Sequence, residues 1–137
     1  MVSSTGCVLG FDYGRKRIGV AVGQNLTATA KALATLHCVQ NKPDWDRIQR
    51  YIQEWQPQAL IVGVPKHADG TSSESTEAAL RFSRQLHGRY GLPVHTVDET
   101  LSSVEAASQL KQRKLAAHLL DAVSAEIILI TWLSECH

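Results

Sequence analysis

The chain has 137 residues, 44% of them hydrophobic and 20% charged, which suits one compact domain, residues 1–137, with a core of its own. Its 14 Lys and Arg nearly balance 13 Asp and Glu, and a formal net charge of +1 excludes strong whole-molecule attraction to a polyanion. Any affinity for nucleic acid must then come from local clusters such as Arg15-Lys16-Arg17, Arg81 with Arg84 and Arg89, or Lys111 with Arg113 and Lys114, each of which is otherwise an ordinary solvated face.

In chain order, Cys7 to Asp12, Ile18 to Gly23 and roughly Ala28 to Leu36 read as three strands of a meander, the first two joined by a tight basic turn. Pro43-Asp44 supplies a helix start, and Trp45, Ile48, Ile52 and Trp55 recur at helical spacing until Pro57 forbids continuation. That stripe assigns Trp45 and Trp55 to core packing rather than to base stacking. Ala59 to Val64 is wholly apolar, as expected of a strand covered on both faces. Thr71-x-x-Glu74 matches a capping box for a second helix with Ala79, Phe82 and Leu86 on its apolar stripe. Val94 to Val97 reads as a fifth strand leading into Asp98-Glu99, and Ser102-x-x-Glu105 opens a short helix through about Arg113. The last segment, Ala116 to Leu133, is apolar nearly all round and predicts a helix packed largely inside. The order is βββ-α-β-α-β-α-α, an α/β domain with a mixed sheet and helices on its faces.

Cys7, Cys38 and Cys136 are odd in number and widely spaced, so they suggest neither a disulfide framework nor a zinc site and fit a reducing compartment. Met1 to Gly6 lacks a basic n-region followed by an apolar run, and no apolar stretch reaches the about 18 residues of a membrane span. A cytoplasmic protein without a membrane partner is the expectation.

Ligands of such sheets sit beyond the carboxyl ends of strands, which marks Asp12 after the first strand and Asp98-Glu99 after the fifth as candidates for one crevice. A carboxylate at the end of a buried strand costs desolvation energy and calls for a cation or hydrogen-bond donors. Asp121 is the third acid, because it shares a stripe with Ala125, Ile128 and Trp132 on the final helix. If that face packs near the first strand, Asp121 is drawn toward Asp12 and Glu99. Carboxylates gathered in one pocket repel, and divalent cations with oxygen ligands are the simplest compensation, Mg²⁺ first and Mn²⁺ as a substitute. Such metals serve phosphodiester hydrolysis, with Arg15, Lys16 and Arg17 clamping the phosphate backbone. Neighbouring residues of an extended strand point to opposite faces, so one of Asp98 and Glu99 faces the pocket, and Glu99 is the first choice. Other roles stay open: Asp12 can accept hydrogen bonds from the following turn, and Asp121 can be a helix-start acid. Lys66 and His67, in the loop after the fourth strand, are further candidates for backbone contact, and a plain loop is the alternative.

Five motifs stand in order along the chain. They are Gly10-Phe11-Asp12-Tyr13-Gly14, Arg17-Ile18-Gly19-Val20-Ala21-Val22-Gly23, Val62-Gly63-Val64-Pro65 with Asp69-Gly70, Asp98-Glu99 with Leu101-Ser102-x-Val104-Glu105-Ala106, and Asp121-Ala122-x-Ser124-Ala125. Together, from about Cys7 to Leu133, they resemble the YqgF/RuvX family of bacterial RNase H-like proteins. The resemblance implies an RNase H-like fold, a mixed five-stranded sheet in βββαβαβα order with helices on both faces. It also implies a Mg²⁺-dependent nuclease linked to 5′-end maturation of pre-16S ribosomal RNA, in a family earlier regarded as Holliday junction resolvases. The family's acidic positions carry over to Asp12, to Glu99 with Asp98 beside it, and to Asp121. Two departures remove positive charge near the presumed phosphate path. Thr100 stands where the family usually has Arg, and Ala116-Ala117-His118-Leu119-Leu120 stands where it usually has Lys shortly before the helix Asp, with His118 as a substitute.

Three other functions compete with pre-rRNA cleavage. Asp12-Tyr13-Gly14 also resembles an actin-like phosphate hairpin, but the chain has neither a second such hairpin nor the length for a second domain. A junction resolvase would act on branched DNA and would need to dimerise on its two-fold substrate, whereas RNA trimming allows a monomer. A non-catalytic RNA-binding module of the same fold is the remaining alternative, motivated by Thr100 and the missing Lys.

Overall fold

Residues 6–40, 42–65, 74–98, 102–114 and 119–136 are described by the structure, a computed structural model, with the backbone alone at 102–107 and 136. Cys7–Tyr13 (β1), Arg17–Gln24 (β2) and Thr29–His37 (β3) form the expected antiparallel meander. Ala59–Val64 (β4) and Val94–Asp98 (β5) add in parallel on the other side of β1, giving one mixed sheet in the order β3-β2-β1-β4-β5. The helices are Trp45–Trp55 (α1), Glu74–Tyr90 (α2), Ser102–Arg113 (α3) and Leu120–Cys136 (α4). The element order expected from the sequence is thus the one observed.

Local chemistry sets the helix ends. Asp44 caps α1 by accepting from the Arg47 N–H at 3.2 Å, and Gln56 closes it in the left-handed region, just before Pro57. Gly91, at φ 67°, stops α2, which runs straight through Gly88. Thr71 of the expected capping box lies outside the described residues.

Period-two alternation divides the sheet's side chains between two cores. Leu9, Phe11, Ile18, Val20, Val22, Leu36, Leu60 and Val62 face α1 and α2, packing on Ile48, Phe82 and Leu86. Trp45 stacks on Phe82 with ring centroids 5.7 Å apart, and the Arg89 guanidinium covers it at 4.0 Å, so this tryptophan is core, as its stripe predicts. Val8, Ala21, Ile61 and Val97 face the other way, onto Ala125, Ile128, Leu129 and Leu133 of α4. Helices therefore cover both faces.

One buried polar feature on α4 was not expected. Glu126, 5% exposed, accepts from the Ala32 N–H at 2.8 Å, beside a bulge in the β2–β3 pairing, and from Arg113 Nη1 at 2.6 Å. A buried carboxylate without partners would be strongly disfavoured, so this one ties β3, α3 and α4 together. Arg113, assigned by the sequence to a basic cluster, is thereby partly structural.

Candidate active site

The face of β2 toward α4 is built from small residues. Gly19, Ala21 and Gly23 lie on it, while Ile18, Val20 and Val22 fill the opposite core. The helix backbone comes correspondingly close: a Cβ on Gly19 would lie 1.8 Å from the Asp121 carbonyl oxygen and 2.9 Å from the Ala122 nitrogen. Gly10 of β1 is similarly covered, its virtual Cβ being 2.4 Å from Leu129 Cγ. The first turn of α4 thus rests on the backbone of the sheet.

Asp12 pairs with Gly19 across β1 and β2, and with Gly63 across β1 and β4. Residues directly opposite in a sheet share a face, so the Asp12 carboxylate is on the α4 side, at the rung where Asp121 lies against the sheet. Neither strand neighbour of Asp12 carries a side chain, and the space over Gly19 is filled by the Asp121 backbone, which brings the two acids onto one rung. Both acids are partly shielded from water, the Asp121 side chain being 23% exposed. The Asp121, Ala125, Ile128, Trp132 stripe packs toward the sheet as its spacing predicts: Ala125 and Ile128 are buried in the core and Trp132 packs against them.

Charge of the opposite sign surrounds these acids. Arg17 Nε donates to Asp121 Oδ2 at 2.9 Å, and Arg15 pairs with Glu74 at the start of α2. Gly14, Arg15, Lys16 and Arg17 line an open cleft of about 410 Å³ together with Glu74, Ser75 and Asp121. A neighbouring cleft of about 300 Å³ continues past Arg15 to Tyr13, Glu77 and Arg81. Burial pushes the Tyr13 hydroxyl above its ordinary pKa, with Cys38 adding and Arg15 and Arg81 opposing, so at neutral pH it is a donor at this edge. The arrangement is an acidic floor with a basic rim.

Of the expected site residues, the structure brings Asp12, Asp121, Arg15, Lys16 and Arg17 to one end of the sheet. Asp98 pairs with Val64 on the face of Leu60 and Val62, opposite to Asp12. Glu99, Lys66 and His118 lie outside the described residues. Among the described residues, no three His, Cys, Asp or Glu gather closely enough to hold a metal ion. Asp12 and Asp121 are nonetheless hard oxygen donors of the type Mg²⁺ and Mn²⁺ take. Sequence reasoning missed two features here. Glu74 lines the cleft as Arg15's partner rather than serving only a helix cap, and Arg17 reaches Asp121 across 104 positions, for which no local signal exists.

Comparison with known proteins gives a family and a fold. The model of the family described as "RuvX: Holliday junction resolvase" matches residues 6–135. A protein of Azotobacter vinelandii named "Putative pre-16S rRNA nuclease" is 46% identical over 93% of this chain and 93% of its own length. A Legionella pneumophila protein of the same name is 48% identical over 95% and 96% respectively. Among solved structures, the fowlpox virus Holliday junction resolvase superposes with a TM-score of 0.58 at 16% identity, covering 96% of this chain and 99% of that one. Thermus thermophilus RuvC in complex with Holliday junction substrate gives 0.53 at 17% identity, covering 96% and 95%. At such identities these two likenesses establish a shared fold, the RNase H-like fold.

Proposed function

The chain belongs to the RuvX family, and from that premise we propose that it is a metal-dependent endonuclease that cleaves phosphodiester bonds in the 5′ leader of pre-16S ribosomal RNA. The observation that carries the reading is the Asp12–Gly19–Asp121 juxtaposition beneath a basic rim. The donor set fits a hard divalent cation: it offers carboxylate oxygen alone, partly shielded, with side-chain-free neighbours in the strands. Asp12, Asp121 and Glu99 would hold Mg²⁺, or Mn²⁺ in its place. Asp98, on the other face, is the less suited member of the Asp98-Glu99 pair. When bound, the metal would supply Lewis-acid stabilisation of charge developing on the scissile phosphate and would activate water as a nucleophile.

The chain's own groups do the rest. Arg15 and Lys16 at the cleft mouth bind non-bridging phosphate oxygens and fix the backbone's direction, a contact that carries no base information. Tyr13, protonated at neutral pH, offers a hydrogen-bond donor to a sugar or phosphate oxygen one cleft further along. Lys66 and His118 are further candidates in this proposal for contact with the nucleic-acid backbone. The setting is cytoplasmic, and no helix among the described residues is long and apolar enough to cross a membrane.

Branched DNA is the second reading, favoured by the family's description and requiring a dimer to cut two strands symmetrically. A cleavage assay separates the two. The full chain is incubated with a pre-16S RNA precursor or a four-way DNA junction, in Mg²⁺ or in EDTA. Mg²⁺-dependent shortening of the precursor's 5′ end, with the junction left intact, is the expected outcome. Paired symmetric nicks in the junction and an untouched precursor would transfer the assignment to the resolvase, and binding of either substrate without cleavage would leave a non-catalytic module.

A further inference from the structure

Arg17 stands at the first position of β2, and its guanidinium is the cation that Asp121 holds. The two partners differ in freedom. The arginine side chain is 56% exposed and the carboxylate 23%, so Arg17 can swing into solvent while Asp121 is fixed at the start of a packed helix. Arg17 also lines the cleft with Arg15 and Lys16, so a phosphate seated there is within a side-chain rotation of the guanidinium. A guanidinium and a divalent cation cannot comfortably share one carboxylate, because their charges repel at contact distance. Arginine's planar fork suits a phosphate as well as a carboxylate.

We infer that Arg17 is an exchangeable counter-charge: it neutralises Asp121 in the metal-free protein and moves to a backbone phosphate of the nucleic acid when a divalent cation takes that carboxylate. The inference rests on the nuclease reading above and adds to it a coupling. Cation and phosphate each favour the same displaced position of Arg17, so each strengthens binding of the other by an equal factor. Arg17 then balances the Asp121 charge in the metal-free protein and delivers its own charge to the phosphate once substrate and metal are both present.

Calorimetry of Mn²⁺ binding to the full chain tests this, with Mn²⁺ alone and with a short phosphorothioate RNA that resists cleavage. Removing the competing charge in Arg17→Gln should tighten binding of Mn²⁺ alone about tenfold. Arg17→Lys keeps that charge and should stay within about threefold of wild type. The RNA should tighten Mn²⁺ binding in wild type and have little effect in Arg17→Gln. Unchanged or weaker Mn²⁺ affinity in Arg17→Gln overturns the inference, as does tightening in Arg17→Lys equal to that in Arg17→Gln, or an undiminished RNA effect. Asp121→Asn separates this failure from a deeper one. Mn²⁺ binding that requires Asp121 but ignores Arg17 sinks only the counter-charge, whereas no Mn²⁺ binding to wild type or to either Arg17 variant removes the metal site and the nuclease reading together.

Discussion

Asp121→Asn is expected to lower the rate of phosphodiester cleavage on the order of a thousandfold, and Asp12→Asn to lower it comparably. Asparagine preserves the shape of either side chain and one of its two oxygens, so the loss is of negative charge. A hard cation held by fewer anionic oxygens is bound more weakly and placed less well. The seating of α4 should survive Asp121→Asn, since Asp121 meets the sheet through its backbone against Gly19. In EDTA, substrate affinity should hold or improve, because each change removes an anion from beneath a phosphate. The double variant should be barely slower than either single one, as expected of groups that act as a unit. Single-turnover kinetics with matched circular dichroism spectra would check this. Retention of cleavage within a few-fold of wild type in either variant would exclude that acid from the chemistry.

Gly19→Ala should be strongly destabilising. The added Cβ would sit 1.8 Å from a carbonyl oxygen and 2.2 Å from the carbonyl carbon of Asp121, both of them helix backbone with no rotamer to change. Either α4 lifts from the sheet or β2 bends, and overpacking of this kind costs about 3 kcal/mol. For a chain of this length that is a fall in melting temperature of roughly 10 °C. Cleavage should also fall although no functional group is lost, because the Asp12–Asp121 spacing is set at this contact. Gly88→Ala is the matched control: it lies within α2, has nothing within 4 Å of the virtual Cβ and needs no positive φ, so it should stabilise by about 0.5–1 kcal/mol. A Gly19→Ala protein that melts like wild type would show that α4 does not sit as closely on β2 as described.

These expectations show which parts of the architecture local sequence carries. Strand and helix types followed from periodicity, and Asp12 was legible because a charged residue closes an apolar strand. Asp121 was legible because it interrupts the stripe that Ala125 and Ile128 continue. Neither signal says how far apart the two acids come. The spacing depends on Gly19 meeting a helix a hundred residues later, and Gly19-x-Ala21-x-Gly23 acquires meaning only once α4 is known to cover that face. The Arg17–Asp121 and Arg113–Glu126 pairs were hidden for the same reason. An arginine in a basic cluster reads as solvated until the tertiary fold brings an acid to it. Glu126 was submerged in a helix read as apolar nearly all round, and its partner is a strand N–H freed at an irregularity in the β2–β3 pairing. For Asp98, alternation along a strand says only that it and Glu99 point to opposite faces, and the register places Asp98 on the α2 side, a fact no local pattern supplies.

Anomalous diffraction at the manganese edge, from crystals of the wild-type chain grown in Mn²⁺, tests the shared-cation claim most directly. The expected result is a peak in contact with carboxylate oxygens of both Asp12 and Asp121. A peak bound to neither acid, or to one while the other turns away, would contradict it.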